Sequence, residues 1–171
     1  MKLVVLCVET DQKAQTDDKY IDKVIRQFYI IDNNIKIAYV HMNSKGNYNK
    51  KTVANQIKKW FSGDFDERHV AYCIDIDNQA DSVIIEQNKK IEEYCMSLNY
   101  DLIWFCRDIE EVFLHKRISK SDKIGESNKF MRVQGMGKAT ETSLSSKYQV
   151  AKSSNLLCIL DSCMDRKQSL Y

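Results

Sequence analysis

Four apolar segments recur along the first 108 residues, and each has the length and residue content of a buried β-strand. They are Leu3–Val8, Ile35–Met42, His69–Ile76 and Asp101–Cys106. Between them, apolar residues return at helical spacing. This spacing predicts helices over Asp17–Tyr29 and Ser82–Leu98, and a further helix whose buried stripe is Val53, Ile57, Trp60 and Phe61.

Alternating strands and helices predict an α/β fold with a mostly parallel sheet and helices on both faces. We expect a Rossmann-like three-layer sandwich with a central four-stranded sheet over residues 1–115. Residues 116–171 are expected to form a basic loop and a C-terminal helical extension packed on that domain. Within this extension, 116–138 has no clear period and predicts a mobile loop. An amphipathic helical pattern returns over Ser143–Met164, which is expected to pack on the sheet or on a second protein.

Acidic residues stand where predicted strands end. Glu9 closes the first strand, Asp75 and Asp77 close the third, and Asp108 follows the fourth. The carboxyl ends of parallel strands meet at one edge of a sheet, so these carboxylates are expected to be neighbours. Residues two apart on a strand share a face, which predicts that Asp75 and Asp77 point the same way. Carboxylate oxygens are ligands that Mg²⁺ prefers, and the pattern therefore predicts a metal site.

The same acids have a simpler interpretation as helix caps and turn formers, which are common at strand ends. We favour that interpretation for Asp108, which precedes the helical segment Ile109–His115. Lys45 lies in the turn after the second strand, on the same sheet edge as the acids, where it could contact phosphate. A turn also favours polar residues for its own reasons.

The order of these motifs resembles the TOPRIM family, in which a glutamate closes the first strand, a glycine-containing turn follows the second and Asp-x-Asp closes the third. The resemblance covers about Leu3 to His115 and is strongest to the small RloB-like proteins, through the segment Glu110–His115. It departs at the residue after Glu9, where Thr10 replaces the usual glycine, and in the complete absence of proline.

The resemblance implies that Glu9 is the catalytic acid or base and that Asp75 and Asp77 are ligands of Mg²⁺ or Mn²⁺. The residues alone leave open whether Glu9 also binds the metal or acts as a general acid or base. Glu111 and His115 would be accessory residues. It implies a nuclease-like activity on nucleic-acid phosphodiesters, linked to phage defence or a mobile element. Nucleic acid, a defence-system protein and a second copy of the chain are the implied partners.

Two other functions fit the same pattern. One is a TOPRIM-shaped subunit without turnover that binds nucleic acid or a protein partner, which gains support if Thr10 keeps Glu9 from the metal. The other is a phospho-acceptor domain of the response-regulator type, which also gathers acids at parallel strand ends. That class needs adjacent acids after the first strand and a lysine after a fifth, whereas Glu9 is followed by Thr10.

Charge is distributed unevenly along the 171 residues, whose net charge is +2. Residues 116–171 contain 11 Lys and Arg against 5 Asp and Glu, so this part carries +6. The predicted nucleic-acid contacts are Lys45, Lys120, Lys123, Lys129 and Arg132. The alternative is that these lysines form a solvated surface. No apolar stretch approaches the roughly 20 residues that span a bilayer, and we expect no membrane contact and a cytoplasmic location.

Overall fold

A five-stranded sheet forms the centre of the computed structural model, which describes residues 1–168. The strands are β1 (Lys2–Val8), β2 (Ile35–His41), β3 (Glu67–Asp75), β4 (Asp101–Cys106) and β5 (Ser153–Ser154). Their order is β2-β1-β3-β4-β5. The first four strands are parallel, and the two-residue β5 pairs antiparallel with β4. The predicted mostly parallel sheet is confirmed, and β5 is an addition to it.

Helices cover both faces of this sheet, which makes the molecule a three-layer sandwich. They are α1 (Thr16–Phe28), α2 (Lys51–Phe61), α3 (Ser82–Ser97), α4 (Ile109–Leu114), α5 (Lys123–Arg132), α6 (Glu141–Leu144) and α7 (Leu156–Leu160). The alternating side chains of β1 show why its sequence is apolar throughout: Leu3, Val5 and Cys7 pack with α2 and α3, and Val4, Leu6 and Val8 pack with α1, α4 and α7. The predicted Rossmann-like fold class is therefore confirmed.

The strand order reverses at β1, because the chain places β2 on one side of this strand and β3 on the other. The helix between β1 and β2 packs on one face of the sheet, and the helix between β2 and β3 packs on the opposite face. In doubly wound sheets, this reversal leaves a crevice beyond the carboxyl ends of the two strands that flank it. Here the two strands are β1 and β3, which end at Val8 and Asp75.

The segment 116–138 is not the unstructured loop that its sequence predicts, since it contains helix α5. This helix lies against α1 and buries Phe130, whose ring centroid is 4.6 Å from that of Tyr20 and 5.5 Å from that of Phe113. Lys23 of α1 fixes the end of α5 by donating to the backbone oxygens of Phe130 and Val133. One buried aromatic side chain and contacts to backbone oxygens hold this helix in place, and neither produces a helical period of apolar residues in the sequence.

The predicted helix over Ser143–Met164 is also wrong in its form. The chain instead makes two short helices, α6 and α7, on either side of β5. Their leucines Leu144, Leu156, Leu157 and Leu160 are buried in the core on the α1 face of the sheet, as the apolar pattern predicts. Three other members of that pattern, Tyr148, Val150 and Ala151, are exposed. Asn155 also completes the edge of β4, since its side chain accepts from Trp104 N and donates to Leu102 O. Residues 169–171 of the predicted extension lie outside the described residues.

Within residues 1–168, no helix combines the length and the apolar character needed to cross a membrane.

Candidate functional site

Glu9 and Asp75 meet at the carboxyl edge of the sheet, where the strand order reverses. The backbone N–H of Asp75 donates to Glu9 Oε1 over 2.7 Å, and this bond ties the end of β3 to the residue after β1. Asp75 Oδ1 in turn accepts from Ile109 N, the first residue of α4, at 2.9 Å. The sequence thus places two of its predicted site residues in direct contact.

Burial dominates the electrostatics of this pair. It raises the pKa of Glu9 to about 8, against the lowering effects of the Asp75 N–H and the Lys45 ammonium. It also raises the pKa of Asp75 well above its ordinary value, and the nearby Glu9 carboxylate adds to the effect. Carboxyl groups that are crowded and poorly solvated retain a proton unless a cation is close. The two side chains therefore form a site at which a cation would be favourable.

A cleft of about 600 Å³ opens beside Glu9 and Asp75. Its other lining residues come from the loop after β1, the start of α1, the loop after β2, the segment between α4 and α5, and the start of α5. They are Thr10, Asp11, Ala14, Thr16, Asp17, Asn43, Ser44, Ile118, Lys120, Lys123 and Ile124. Glu9 lines the cleft together with the adjacent Thr10. The cleft thus combines carboxylates with two lysines of the basic region.

Two further carboxylates near the cleft were missed by the sequence analysis. Asp17 is buried in the first turn of α1, and burial raises its pKa to about 7, with a further contribution from Glu110. Glu110 is fully buried in α4, and its Oε2 accepts from Lys123 Nζ at 2.8 Å. Burial is also the main reason why the pKa of Glu110 is raised. Asp17 is the first residue of the helix predicted from the sequence, a position that favours a capping interpretation over a site.

Asp77 lines a different cavity from Glu9 and Asp75, although Lys45 links its carboxylate to the backbone oxygen of Asp75. The prediction that Asp75 and Asp77 share a face is wrong, because β3 ends at Asp75 and Asp77 has a left-handed backbone with φ 61°. Strand alternation does not apply beyond the strand end. Asp77 lines a separate cavity of about 650 Å³ together with Arg107 and Arg117, and its carboxylate pairs with Lys45.

Lys45 is buried in the 3-10 turn Lys45–Asn47 and is not an exposed phosphate contact. Its Nζ donates to Asp75 O over 2.7 Å and to the carboxylate of Asp77. The ammonium also lies close enough to Glu9 to oppose the rise in the pKa of that residue. Lys45 therefore lies among the three residues that were predicted to hold a metal.

The other predicted nucleic-acid contacts differ in their surroundings. Lys120 is exposed on the wall of the cleft, and Lys123 is partly exposed there while it pairs with Glu110. Lys129 pairs with Glu126 at 2.8 Å, on the exposed side of α5. Arg132 is exposed at the last position of α5. The structure therefore places Lys120 and Lys123 beside the carboxylates.

The two accessory residues lie outside the cleft. His115 is exposed, adopts φ 55° and ends α4 with its N–H bonded to Glu111 O. Glu111 lines the cavity of Asp77, whereas its neighbour Glu110 is the residue that Lys123 contacts. Asp108 is the N-cap of α4, since its side chain accepts from Glu111 N at 2.7 Å, which confirms the capping interpretation.

A divalent metal fits part of this arrangement. Within the described part of the chain, no group of three or more His, Cys, Asp or Glu side chains is arranged to hold a metal ion. Mg²⁺ commonly takes only one or two protein carboxylates and fills its other positions with water and phosphate oxygens. The hard oxygens of Glu9 and Asp75, crowded in a cleft, suit that mode. Asp77 does not, because Lys45 already neutralises it.

Comparisons with known proteins add little to this picture. No family model matches the chain, and no curated protein matches it either. Among solved structures, a de novo designed Rossmann fold protein aligns over 78% of this chain and 100% of its own length, with 16% identity and a TM-score of 0.32. The fold and site define a doubly wound α/β protein with a carboxylate-lined cleft at the strand-order reversal.

Proposed function

We propose that this protein is a nuclease-like enzyme of the TOPRIM type that acts on nucleic-acid phosphodiesters with Mg²⁺ or Mn²⁺. The observation that carries the proposal is the contact between Glu9 and Asp75 across the ends of β1 and β3, in a cleft that also presents Lys120 and Lys123. Carboxylates that favour a cation and lysines that favour a polyanion occupy one cleft, as a phosphodiester substrate requires.

In this proposal Glu9 and Asp75 hold the metal at the sheet edge. When bound, the metal would polarise the phosphodiester and stabilise the leaving oxygen. In the metal-free site, burial raises the pKa of Glu9 to about 8, so the carboxyl group carries its proton at neutral pH. A metal bound to this carboxylate would displace that proton, so Glu9 serves either as a metal ligand or as a general acid, and not as both at once. The hydrogen bond from Asp75 N fixes the position of that carboxyl group.

The lysines of the cleft would orient the substrate. Lys120 is exposed on the cleft wall and forms no ion pair within residues 1–168, so its ammonium can reach a phosphate there. Lys123 is held by Glu110 and supplies a positive charge at a fixed position. This binding is electrostatic, so it does not select a sequence and weakens with salt.

Cleavage of end-labelled single- and double-stranded DNA and RNA, with Mg²⁺ and with Mn²⁺, tests the proposal. We expect metal-dependent cleavage by the wild type. Glu9→Gln should lower the rate by roughly 10²- to 10⁴-fold, the usual contribution of a general acid or base. Asp75→Asn should also abolish most activity, and Asp64→Asn, an exposed acid after α2, is the matched control. Full activity in either site variant would show that the site is wrong.

A second candidate is a nucleic-acid or partner-binding subunit of the same shape that has no turnover. Two of the acids already have partners within the protein, which favours this candidate over a metal site. Asp75 Oδ1 accepts a hydrogen bond from Ile109 N, and Asp77 forms an ion pair with Lys45. This candidate predicts nucleic-acid binding that survives Asp75→Asn and shows no cleavage with either metal. By the family resemblance, the same protein would act in the cytoplasm in phage defence, with a defence-system protein or a second copy as its partner.

A further inference from the structure

Lys45 supplies a positive charge within the group of acids that was predicted to bind the metal. Its side chain is buried, with 9% of its surface exposed. Within residues 1–168 its Nζ has two hydrogen-bond acceptors, the backbone oxygen of Asp75 and the carboxylate of Asp77. A buried ammonium needs such partners, because it would otherwise lose its hydration without compensation.

The position of Lys45 follows from the fold. The 3-10 turn begins shortly after β2, and Ser44 caps it, with the Ser44 hydroxyl accepting from Gly46 N at 3.2 Å. This brings Lys45 across the end of β1 to the end of β3. Its long side chain carries the ammonium to the backbone oxygen of Asp75 and to the carboxylate of Asp77, within the group of acids that a cation would neutralise.

We propose that Lys45 is an internal counter-ion that holds Asp77 and limits the affinity of the Glu9–Asp75 site for a divalent cation. The inference rests on the proposed function, since it concerns the same site. A positive charge a few ångströms from a bound cation opposes its binding. The ion pair also withholds a carboxylate that the Asp-x-Asp motif would otherwise contribute. Loss of the ammonium removes the repulsion and frees Asp77 at the same time.

A purely structural role for Lys45 predicts something different. If the lysine only ties the turn after β2 to the end of β3, its replacement lowers stability and leaves metal affinity unchanged or weaker. If it is a phosphate contact, its replacement weakens nucleic-acid binding without a gain in metal affinity. Only the counter-ion role predicts that a variant without the charge binds the cation more tightly.

Calorimetric titration of the metal-free protein with MgCl₂ and MnCl₂ tests the inference without an activity assay. Lys45→Met keeps much of the apolar stem and removes the charge. We expect its dissociation constant for Mg²⁺ to fall by about tenfold or more relative to the wild type. Lys59→Met, an exposed lysine in the last turn of α2, is the control and should leave the constant unchanged.

The double variant Lys45→Met/Asp77→Asn separates the two effects of Lys45. We expect it to lose part of the gain in Mg²⁺ affinity, because the freed Asp77 carboxylate is absent.

A second single variant, Lys45→Gln, removes the charge but keeps a hydrogen-bond donor near Asp77. It replaces Lys45→Met if circular dichroism shows that Lys45→Met is unfolded. The same gain in affinity is expected.

The outcomes distinguish the inference from the proposed function. Equal or weaker Mg²⁺ binding by folded Lys45→Met and Lys45→Gln, with clear binding by the wild type, overturns the counter-ion role and leaves the metal site standing. Absence of binding in the wild type and in both variants overturns the metal-dependent function, and the inference fails with it. Tighter binding in the variants, lost with Asp75→Asn, supports both.

Discussion

The raised pKa of Asp17 predicts how the free energy of unfolding changes with pH. This side chain is buried at the start of α1, and burial together with Glu110 raises its pKa from 3.8 to about 7. A carboxyl group with a raised pKa in the folded state stabilises the fold at low pH, and the contribution is lost as the pH rises through the folded value. Asp17→Asn replaces the group with a neutral side chain of similar shape and removes this dependence.

The expected magnitude follows from the two pKa values. One pKa unit corresponds to about 1.4 kcal/mol. Between the unfolded and the folded pKa, the folded state holds one more proton than the unfolded state, so the free energy of unfolding falls by this amount for each pH unit. Between pH 5.5 and 8, the Asp17 contribution to the free energy of unfolding should fall by about 2 kcal/mol. Glu9 and Glu110 add losses of the same sign, because burial raises their pKa values also.

Urea unfolding followed by circular dichroism at several pH values, with EDTA present, measures this term. The quantity of interest is the wild-type free energy of unfolding minus that of Asp17→Asn, which should decrease as the pH rises. Asp64→Asn, at an exposed position, provides the baseline. A difference that stays flat from pH 5.5 to 8, or that grows with pH, would refute the reasoning that burial dominates at Asp17.

Three further predictions concern single side chains. Lys123→Met leaves fully buried Glu110 without its partner and should cost about 2 kcal/mol in urea unfolding at pH 7; an unchanged midpoint would contradict the pairing. Gly137→Ala should lower the melting temperature, because φ is +65° and a Cβ would lie 2.6 Å from a backbone oxygen of α4, whereas Gly125→Ala, in open space within α5, should raise it. Lys120→Ser should reduce the salt dependence of nucleic-acid binding by a slope of about 1, and an unchanged slope would exclude a phosphate contact.

The sheet could be predicted because its strands are buried on two faces. β1 is apolar at every position from Leu3 to Val8, and both sets of alternating side chains enter a core. The helices α1 and α3 are long enough to show a period. An apolar run and a helical period each depend only on the residues of one segment, so both can be read from the sequence.

The C-terminal third could not be predicted in the same way. Helices α6 and α7 span four and five residues, too few for a periodic signal. Helix α5 depends on Phe130 packing against Tyr20 and Phe113, a contact between parts of the chain that are distant in sequence. Tertiary packing defines all three helices, which explains why a basic, low-period sequence looked like a loop.

The candidate site shows the same division. Glu9 and Asp75 were identifiable because both follow buried strands, and strand ends are placed by the sheet. The separation of Asp77 depends on one left-handed backbone residue after β3, and the burial of Lys45 depends on a 3-10 turn from another strand. Glu110 is buried and pairs with Lys123 of α5, a helix that the sequence did not reveal. The positions of these three side chains therefore depend on contacts between loops and helices, which strand periodicity does not predict.

The most direct test of the account is Mg²⁺ binding by the wild type and by Asp75→Asn, measured by calorimetry on the metal-free proteins, with Asp64→Asn as the exposed control. The account predicts binding to the wild type and to Asp64→Asn, and its loss in Asp75→Asn. Equal binding by Asp75→Asn and the wild type would contradict the assignment of the site. No binding by any of the three would contradict a metal-dependent function and leave Glu9 and Asp75 as residues that tie β1, β3 and α4 together.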